Sequence, residues 1–298
     1  MLQILQGLMT VVMLLVCVAY FSLFERKMLG LTQFRLGPNK VGPTGIFQPL
    51  SDAPKLLTKS IQAHMDPFVY AFVTFLSFLL SLTYWISIPI KFTSWSHESD
   101  NMGIWVVIGL SLSVYGAVTC GWFSHSKFSV LGSTRAIAQC ISFELVLSII
   151  LLSVFGFSSC TSILSVCMTQ LYAPNLATAP LLALGVWVSL LAESGRSPFD
   201  LPEGESELVS GFNVEYGGVR YILIYLSESV TLMVSCMIMN SLFLGVTYLF
   251  PMLIWVIVSI LLRSSLPRMR FDRCMTLGWV TLLSSSISYA LVMILTLL

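Results

Sequence analysis

Long uncharged apolar runs constrain this chain more than any other feature. The stretch from Tyr221 to Leu262 holds a single charged residue, Glu228. It is about twice as long as the roughly 20 apolar residues that a helix needs to cross a bilayer. Only 10% of all residues are charged, against about 25% in soluble domains. The sequence therefore predicts an all-α integral membrane protein.

Eight runs of this kind predict about eight transmembrane helices. They lie near residues 2–24, 67–90, 102–123, 136–157, 177–193, 219–240, 244–263 and 276–297. The turn between the sixth and seventh helices is expected near Asn240–Gly245. The whole chain, 1–298, is then a single membrane domain.

The basic residues follow the loops on one side of these spans. All but Lys91 of the 15 Lys and Arg residues lie in or beside four loops, about 25–66, 124–135, 194–218 and 264–275. The positive-inside rule predicts that these loops face inside and that both termini face outside. The net charge of +1 argues against a nucleic-acid partner.

The first of these loops is predicted to contain a short amphipathic helix. Glycine and proline in RLGPNKVGPTG, from Arg35, cannot continue a helix. Ser51 and Asp52 can then cap a new helix with Pro54 in its first turn. One side would carry Ala53, Leu56, Leu57 and Ile61, with Lys55 and Lys59 near the other. This pattern favours a helix on the membrane surface over an ordinary surface helix.

Six of the 14 acidic residues are concentrated in one short stretch. They are Glu193, Asp200, Glu203, Glu205, Glu207 and Glu215. A solvated loop is one explanation, and a binding surface through which protons enter is the other. Asp200 and Glu203 also have capping-box spacing, so they can simply start a short helix.

Two further carboxylates are predicted inside the membrane. Glu144 in the fourth span and Glu228 in the sixth lie at similar depths, and Glu193 ends the fifth span on the same side. A charge at mid-bilayer costs about 2.5–3.5 kcal/mol on insertion scales, and helix formation does not require one. A neutral or Arg-paired carboxyl that fixes helix packing is one interpretation. The matched depth beneath the acidic loop favours a polar proton path.

The cysteines and histidines predict no metal or redox centre on this chain. The seven cysteines form no CxxC pair, and the three histidines are scattered. No glycine-rich phosphate loop follows a strand pattern. Redox cofactors, if the function needs them, are expected on other chains.

Five ordered motifs carry a specific resemblance. They are FERKMLG from Phe24, RLGPNKVGPTGIFQPLSDAPKL from Arg35, RAIAQCISFEL from Arg135, GRSPFDLPEGESELVSGFNVEY from Gly195 and PRMRFD from Pro267. Along essentially its whole length, the chain resembles the subunit 1 family of NADH:ubiquinone oxidoreductase, or respiratory complex I, of the mitochondrially encoded type.

The resemblance implies two functions for the chain. It forms part of a ubiquinone tunnel bounded by the first, surface and sixth helices, and the first segment of an acidic path that couples quinone reduction to proton translocation. Tunnel residues implied in this way are Arg26, Arg35, Asp52, Arg135, Arg196, Phe199, Asp200 and Arg270. Proton-coupling residues are Glu144, Glu193, Glu203, Glu205, Glu207, Glu215 and Glu228.

The resemblance also implies an incomplete active site. Ubiquinone is the substrate, whereas FMN and the iron–sulfur clusters belong to partner subunits. The partners are the peripheral-arm subunits that bear the terminal cluster, the small and antiporter-like membrane subunits, and lipid. The location is the mitochondrial inner membrane, with basic loops toward the matrix and both termini toward the intermembrane space.

The chain departs from this family pattern at three positions. Gly195 stands where many relatives have Asn, Ser229 stands where many have Tyr, and Arg220 stands where relatives are often apolar. Alternative functions are a quinone- or hydrogenase-linked membrane anchor and a stand-alone proton transporter. No internal repeat or pair of interrupted helices supports a transporter, and the wording ESELVSGFNVEY favours the quinone enzyme.

Overall fold

The computed structural model describes residues 2–59, 67–86, 101–170, 173–202, 204, 210–245 and 249–297, and their regular secondary structure is entirely helical. The helices are α1 (Leu2–Thr32), α2 (Gln48–Leu57), α3 (Pro67–Ile86), α4 (Met102–Phe123), α5 (Lys127–Ser158), α6 (Ile163–Thr169), α7 (Asn175–Thr178), α8 (Pro180–Glu193), α9 (Gly218–Met239), α10 (Leu249–Ser265), α11 (Phe271–Thr276) and α12 (Leu283–Leu297). A π-helical segment, Asn240–Leu244, extends α9, and another, Leu277–Leu282, joins α11 to α12. Short 3₁₀ turns occur at Pro43–Gly45 and Gly211–Asn213.

Most of these helices are long and apolar enough to cross a membrane. Within the described residues, α1, α3, α4, α5, the extended α9 and the run from α11 into α12 meet this condition. The shorter apolar helices α8 and α10 lie where the fifth and seventh crossings are expected. The prediction of an all-α integral membrane protein is confirmed. The number of crossings, eight, stays a prediction.

Several helices extend beyond the boundaries that the sequence predicts. α1 continues to Thr32, so Arg26 lies in a helix and not in a loop. α5 already begins at Lys127, and α11 makes most of the predicted loop 264–275 helical. The predicted boundaries are wrong here because Lys and Arg are good helix formers. A charge marks the edge of the apolar region and not the end of the helix.

The short amphipathic helix is present, but its predicted cap is wrong. α2 begins at Gln48, with Pro49 in its first turn and no side-chain cap. Asp52 therefore lies inside the helix, where its carboxylate accepts hydrogen bonds from Gln48 Nε2 at 2.9 Å and Arg26 Nη2 at 3.1 Å. These two bonds use the oxygens that a cap would need. Ile61, expected on the apolar side, lies outside the described residues.

The loop after α1 folds back so closely that two positions require glycine. A Cβ on Gly30 would lie 2.9 Å from the backbone nitrogen of Gly37, and one on Gly37 would lie 2.9 Å from Lys27 Cα. The N–H of Arg35 donates to the Gly30 carbonyl at 2.9 Å. This reversal brings α2 alongside the end of α1.

The core of the bundle runs through α5, α8 and α9. Leu147 on α5, Val186 on α8 and Val234 on α9 are almost completely buried. The second half of α9 is enclosed on nearly all sides. Because these same helices carry Glu144, Glu193 and Glu228, the packing brings the three carboxylates toward one interior region.

The far end of α9 is held by side chains from the α6–α7 region. Gln170 Nε2 donates to the carbonyls of Ser241 and Leu242 at 3.2 and 3.0 Å, and Asn175 Nδ2 donates to Leu242 at 2.9 Å. These carbonyls lie in the last turn of a helix, where intrahelical donors run out. Gly245, at φ 65°, ends the segment in the left-handed conformation. The predicted turn near Asn240–Gly245 is confirmed.

Candidate functional site

A cleft of about 900 Å³ opens between α1, α2 and α9. Its apolar wall includes Leu15, Val18 and Ala19 of α1 and Leu226 of α9. Its charged lining consists of Glu25, Arg26, Asp52, Lys55, Lys59, Arg196, Glu228 and Arg263. The cleft can therefore accept a molecule that has both an apolar and a polar part.

Two ion pairs fix the end of α1 within this cleft. Arg26 Nη2 lies 3.1 Å from Asp52 Oδ2 on α2, and both side chains are partly exposed. Glu25, which is only 7% exposed, pairs with Arg263 near the end of α10. Consecutive helical residues point about 100° apart. Glu25 and Arg26 therefore fasten α1 to two different neighbours.

Arg196 reaches the cleft from the loop after α8. Its guanidinium carbon lies 5.9 Å from the centroid of the Tyr225 ring on α9, within reach of a cation–π contact. The preceding Gly195 has φ 61°. Glycine and asparagine are the residues that adopt this left-handed conformation most readily. The exchange of Asn for Gly at this position therefore preserves the backbone that presents Arg196.

A second, enclosed space of about 90 Å³ lies among α3, α4, α5, α8 and α9. Its lining includes Gln139, Glu193, Glu228 and several hydroxyl groups. Glu193 Oε1 is shut off from solvent and has no hydrogen-bond partner among the described residues. Glu144 is one helical turn from Cys140, which also lines this space. We call it the cavity, in contrast to the cleft.

Glu228 borders both spaces. Among the described lining residues, it alone belongs to the cleft and to the cavity. It lies on α9, one turn beyond Ile224 and three residues beyond Tyr225. A carboxyl group in this position can exchange a proton with either space.

The comparison with protein families decides the identity of the fold. The family model described as NADH dehydrogenase matches residues 5–294. This chain belongs to the NADH dehydrogenase family.

Relatives in the NADH dehydrogenase family match almost the whole chain. NADH-ubiquinone oxidoreductase chain 1 of Emballonura alecto is 39% identical, over 91% of this chain and 89% of the relative. The Aedes aegypti protein of the same name is 39% identical, over 97% and 94%. The Salmo salar protein, again of that name, is 38% identical, over 97% and 93%. The resemblance to subunit 1 of complex I is confirmed, and the chain is a multi-pass inner-membrane subunit of an oxidoreductase complex.

The tunnel residues implied by the NADH dehydrogenase family fall into two groups. Arg26, Asp52 and Arg196 line the cleft. Arg35, Arg135, Phe199, Asp200 and Arg270 do not belong to its described lining. Arg35 is exposed and donates to Gln33 Oε1 at 2.8 Å, and Arg270 is exposed beside Asp272 at 3.0 Å. Arg135 is partly buried on α5.

Phe199 and Asp200 point to a different part of the molecule. Phe199 packs edge-on against Phe143, with ring centroids 5.6 Å apart. Asp200 Oδ2 accepts a hydrogen bond from Arg268 Nη2 at 2.7 Å. Burial raises the pKa of Asp200 above its ordinary value, although Arg268 acts in the opposite direction. No helix begins at Asp200, so its predicted capping role is wrong, because Arg268 takes the oxygen a cap would use.

The acidic residues implied by the NADH dehydrogenase family are also separated. Glu193 and Glu228 line the cavity, and Glu144 is near it. Glu215 precedes Tyr216, whose hydroxyl donates to the Cys120 carbonyl at 2.7 Å. Glu203, Glu205 and Glu207 lie outside the described residues.

Three residues of these two spaces were not singled out as site residues from the sequence. Glu25 and Arg263 form the ion pair of the cleft, and Gln139 lines the cavity. Glu25 stands beside Arg26 in FERKMLG, and Gln139 is a polar residue inside the apolar run of α5. Polar residues within or beside a span were the available signal. Within the described residues, no group of three His, Cys, Asp or Glu side chains is arranged to hold a metal ion.

Proposed function

We propose that the cleft is part of the ubiquinone site of a proton-pumping NADH:ubiquinone oxidoreductase. The names of the relatives from Emballonura alecto and Aedes aegypti support this substrate. The cleft volume, about 900 Å³, is within the range of roughly 300–1,000 Å³ for small-molecule sites. The wall formed by Leu15, Val18 and Leu226 suits an apolar tail, and Arg26, Asp52 and Arg196 suit a polar head group.

The position of Glu228 between the two spaces is the observation on which the coupling proposal rests. Reduction of a quinone to a quinol takes up two electrons and two protons. This demand arises in the cleft, which Glu228 borders. Glu228 can take replacement protons from the cavity side, where Glu193 lies. Glu144 continues this row of carboxylates along α5, as the first segment of a path for protons.

The remaining tunnel residues suit a site that partner subunits complete. Arg35 and Arg270 are exposed on this chain, and charged groups at loops can bind a second subunit. In this proposal, peripheral-arm subunits carry FMN and the iron–sulfur clusters and deliver electrons next to these loops. The small and antiporter-like membrane subunits receive the protons. Glu203, Glu205, Glu207 and Glu215 belong to the surface at which electron and proton transfer meet.

The proposed orientation places the basic loops in the matrix and both termini in the intermembrane space. The concentration of all but one of the 15 basic residues on one side supports it. The loops that hold Arg26, Arg35, Arg196 and Arg268 would then face the same compartment as the peripheral subunits.

The proposal is tested by removing the shared carboxyl. In Glu228→Gln we expect coupled turnover and protons pumped per electron to fall about tenfold or more, the usual scale for losing a proton-transfer group. Glu144→Gln is expected to lose coupled turnover while assembling normally. Proton pumping and rotenone-sensitive NADH oxidation are measured in proteoliposomes that contain the assembled complex.

The control is Asp272→Asn, which makes the same chemical change at an exposed residue outside both spaces. It is expected to keep wild-type turnover. Full proton pumping together with full quinone reductase activity in Glu228→Gln would rule out the proposed coupling role.

A further inference from the structure

The hydroxyl groups of the cavity offer it acceptors only. Each described lining hydroxyl donates its proton to a carbonyl of its own chain segment, three or four residues earlier. The bonds are Ser77 to Thr74 at 2.8 Å, Ser81 to Phe78 at 2.8 Å, Ser113 to Leu110 at 2.7 Å, Ser194 to Leu191 at 3.0 Å, Ser227 to Ile224 at 2.6 Å and Thr231 to Glu228 at 2.8 Å. A hydroxyl whose proton is used in this way has only lone pairs left to offer.

Gln139 adds another acceptor. Its Nε2 donates to the Ala192 and Phe199 carbonyls, each at 2.7 Å. Because carbonyl oxygens cannot donate, these two bonds fix which end of the amide is nitrogen. The side chain is 1% exposed, and its Oε1 has no partner among the described residues. A buried amide oxygen without a donor indicates an occupant that is missing from the chain itself.

The backbone beside the cavity supplies no free donor either. The N–H of Ser194 donates to Leu190 at 3.0 Å, and that of Gly195 donates to Ala192 at 3.2 Å. Pro202 has no N–H. The thiols of Cys120 and Cys140 are the remaining donors in the described lining, and thiols are weak donors. Glu193 Oε1, also enclosed and without a partner, completes a lining dominated by acceptors.

We propose that the cavity binds a small monovalent cation, with Na⁺ as the test ion. Oxygen ligands satisfy a hard cation without any donor from the protein. The volume of about 90 Å³ leaves room for the ion and one or two waters at about 30 Å³ each. Glu193 and Glu228 supply negative charge, and no third carboxylate lines the described cavity. This charge favours a monovalent over a divalent ion.

This site goes beyond quinone reduction and proton transfer. The ion would lie behind Glu228, so that one side chain separates it from the cleft. Its binding does not require turnover, and it can be measured in the resting complex. Success or failure of the coupling proposal therefore leaves this measurement unaffected.

The experiment measures binding of radioactive Na⁺ to the purified intact complex without NADH, with choline replacing Na⁺ at constant ionic strength. We expect Gln139→Leu to bind fewer Na⁺ ions than wild type, by one site per complex. The matched control is Gln170→Leu. Gln170 is also buried and also donates to backbone carbonyls, but it lies outside the described cavity lining. Binding by this control is expected to equal that of wild type.

Two milder variants keep the test decisive if Gln139→Leu does not assemble. Ser113→Ala and Thr231→Val each remove one acceptor and leave the bonds of Gln139 in place. Both are expected to weaken Na⁺ binding at this site several-fold. Wild-type Na⁺ binding in Gln139→Leu, or in both milder variants, would overturn the proposal and leave water as the occupant.

If Glu228→Gln pumps normally while Gln139→Leu loses the Na⁺ site, the coupling function fails and the cation site stands. If Glu228→Gln stops pumping while Gln139→Leu binds Na⁺ normally, only the cation site fails.

Discussion

The cleft and the cavity share Glu228, but their walls are held together in different ways. In the cleft, side-chain ion pairs join α1 to α2 and α10, and the groups of the Arg26–Asp52 pair are 45% and 34% exposed. In the cavity, a side chain that is 1% exposed, Gln139, binds two backbone carbonyls. The shape of the cleft therefore depends on charges that a ligand can reach. The shape of the cavity depends on backbone contacts that a ligand does not touch.

This difference matches two kinds of occupant. A large molecule that enters and leaves needs walls with mobile side chains, and exposed ion pairs are individually weak. A small occupant needs ligand atoms at fixed positions, which buried hydrogen bonds provide. Each of the following predictions changes one space and leaves the other intact.

The largest effect is expected from filling the cleft. Ala19 on α1 lines it, and Ala19→Trp places a large ring where the quinone tail would lie. We expect kcat/KM for ubiquinone to fall about tenfold or more, since a blocked site loses substrate binding and orientation. Na⁺ binding in the cavity is expected to stay unchanged.

Ala71→Trp serves as its control, because Ala71 is on an exposed face of α3. Steady-state kinetics with the assembled complex compare the two variants. Wild-type kinetics in Ala19→Trp would show that quinone does not use this cleft.

An intermediate effect is expected from the two ion pairs. Arg263→Ala leaves Glu25, only 7% exposed, without its counter-charge. Removing one partner of a largely buried pair costs about 2–3 kcal/mol, somewhat less than for a fully buried pair. Asp52→Ala breaks an exposed pair and is expected to cost less than about 1 kcal/mol. Thermal unfolding of the assembled complex measures both, and equal losses would contradict the distinction between the pairs.

The smallest effect is expected at Asp200, which lies outside the described lining of both spaces. Burial raises the pKa of Asp200 above its ordinary value. The stability it contributes is therefore present below the unfolded pKa, about 3.9, and is lost as the pH rises through the higher folded pKa. The stability of Asp200→Asn relative to wild type is accordingly expected to increase with pH over this window.

Thermal inactivation of the complex between acid and neutral pH measures this trend, with Asp272→Asn as an exposed control. A relative stability that decreases with pH would contradict the prediction. The same variant tests the role in quinone reduction implied by the family, and unchanged inhibitor-sensitive activity would count against that role.

The membrane fold followed from apolar length, but helix ends did not. The runs near 102–123 and 219–240 match α4 and α9 closely. Arg26 and Lys127 misled the boundaries because a charge is compatible with continued helix. The start of α2 was missed because Pro49 fits a first helical turn as well as Pro54 does.

The site was predictable where a residue carries its own signal. Glu193 and Glu228 stand out as carboxylates in or beside apolar spans, and both line the cavity. Gln139 does not titrate, and its importance comes from carbonyls 53 and 60 residues away. Glu25 and its partner Arg263 are 238 residues apart. Such contacts depend on helix packing, which spacing along one chain does not encode.

The contacts at the far end of α9 have a consequence for how the chain is made. Gln170 and Asn175 precede α9 in sequence, and synthesis runs from the N-terminus. The donors for the Ser241 and Leu242 carbonyls are therefore present before those carbonyls leave the ribosome. A polar group without a partner is costly in lipid. The order of these segments along the chain thus allows α9 to insert with its last turn satisfied from the start.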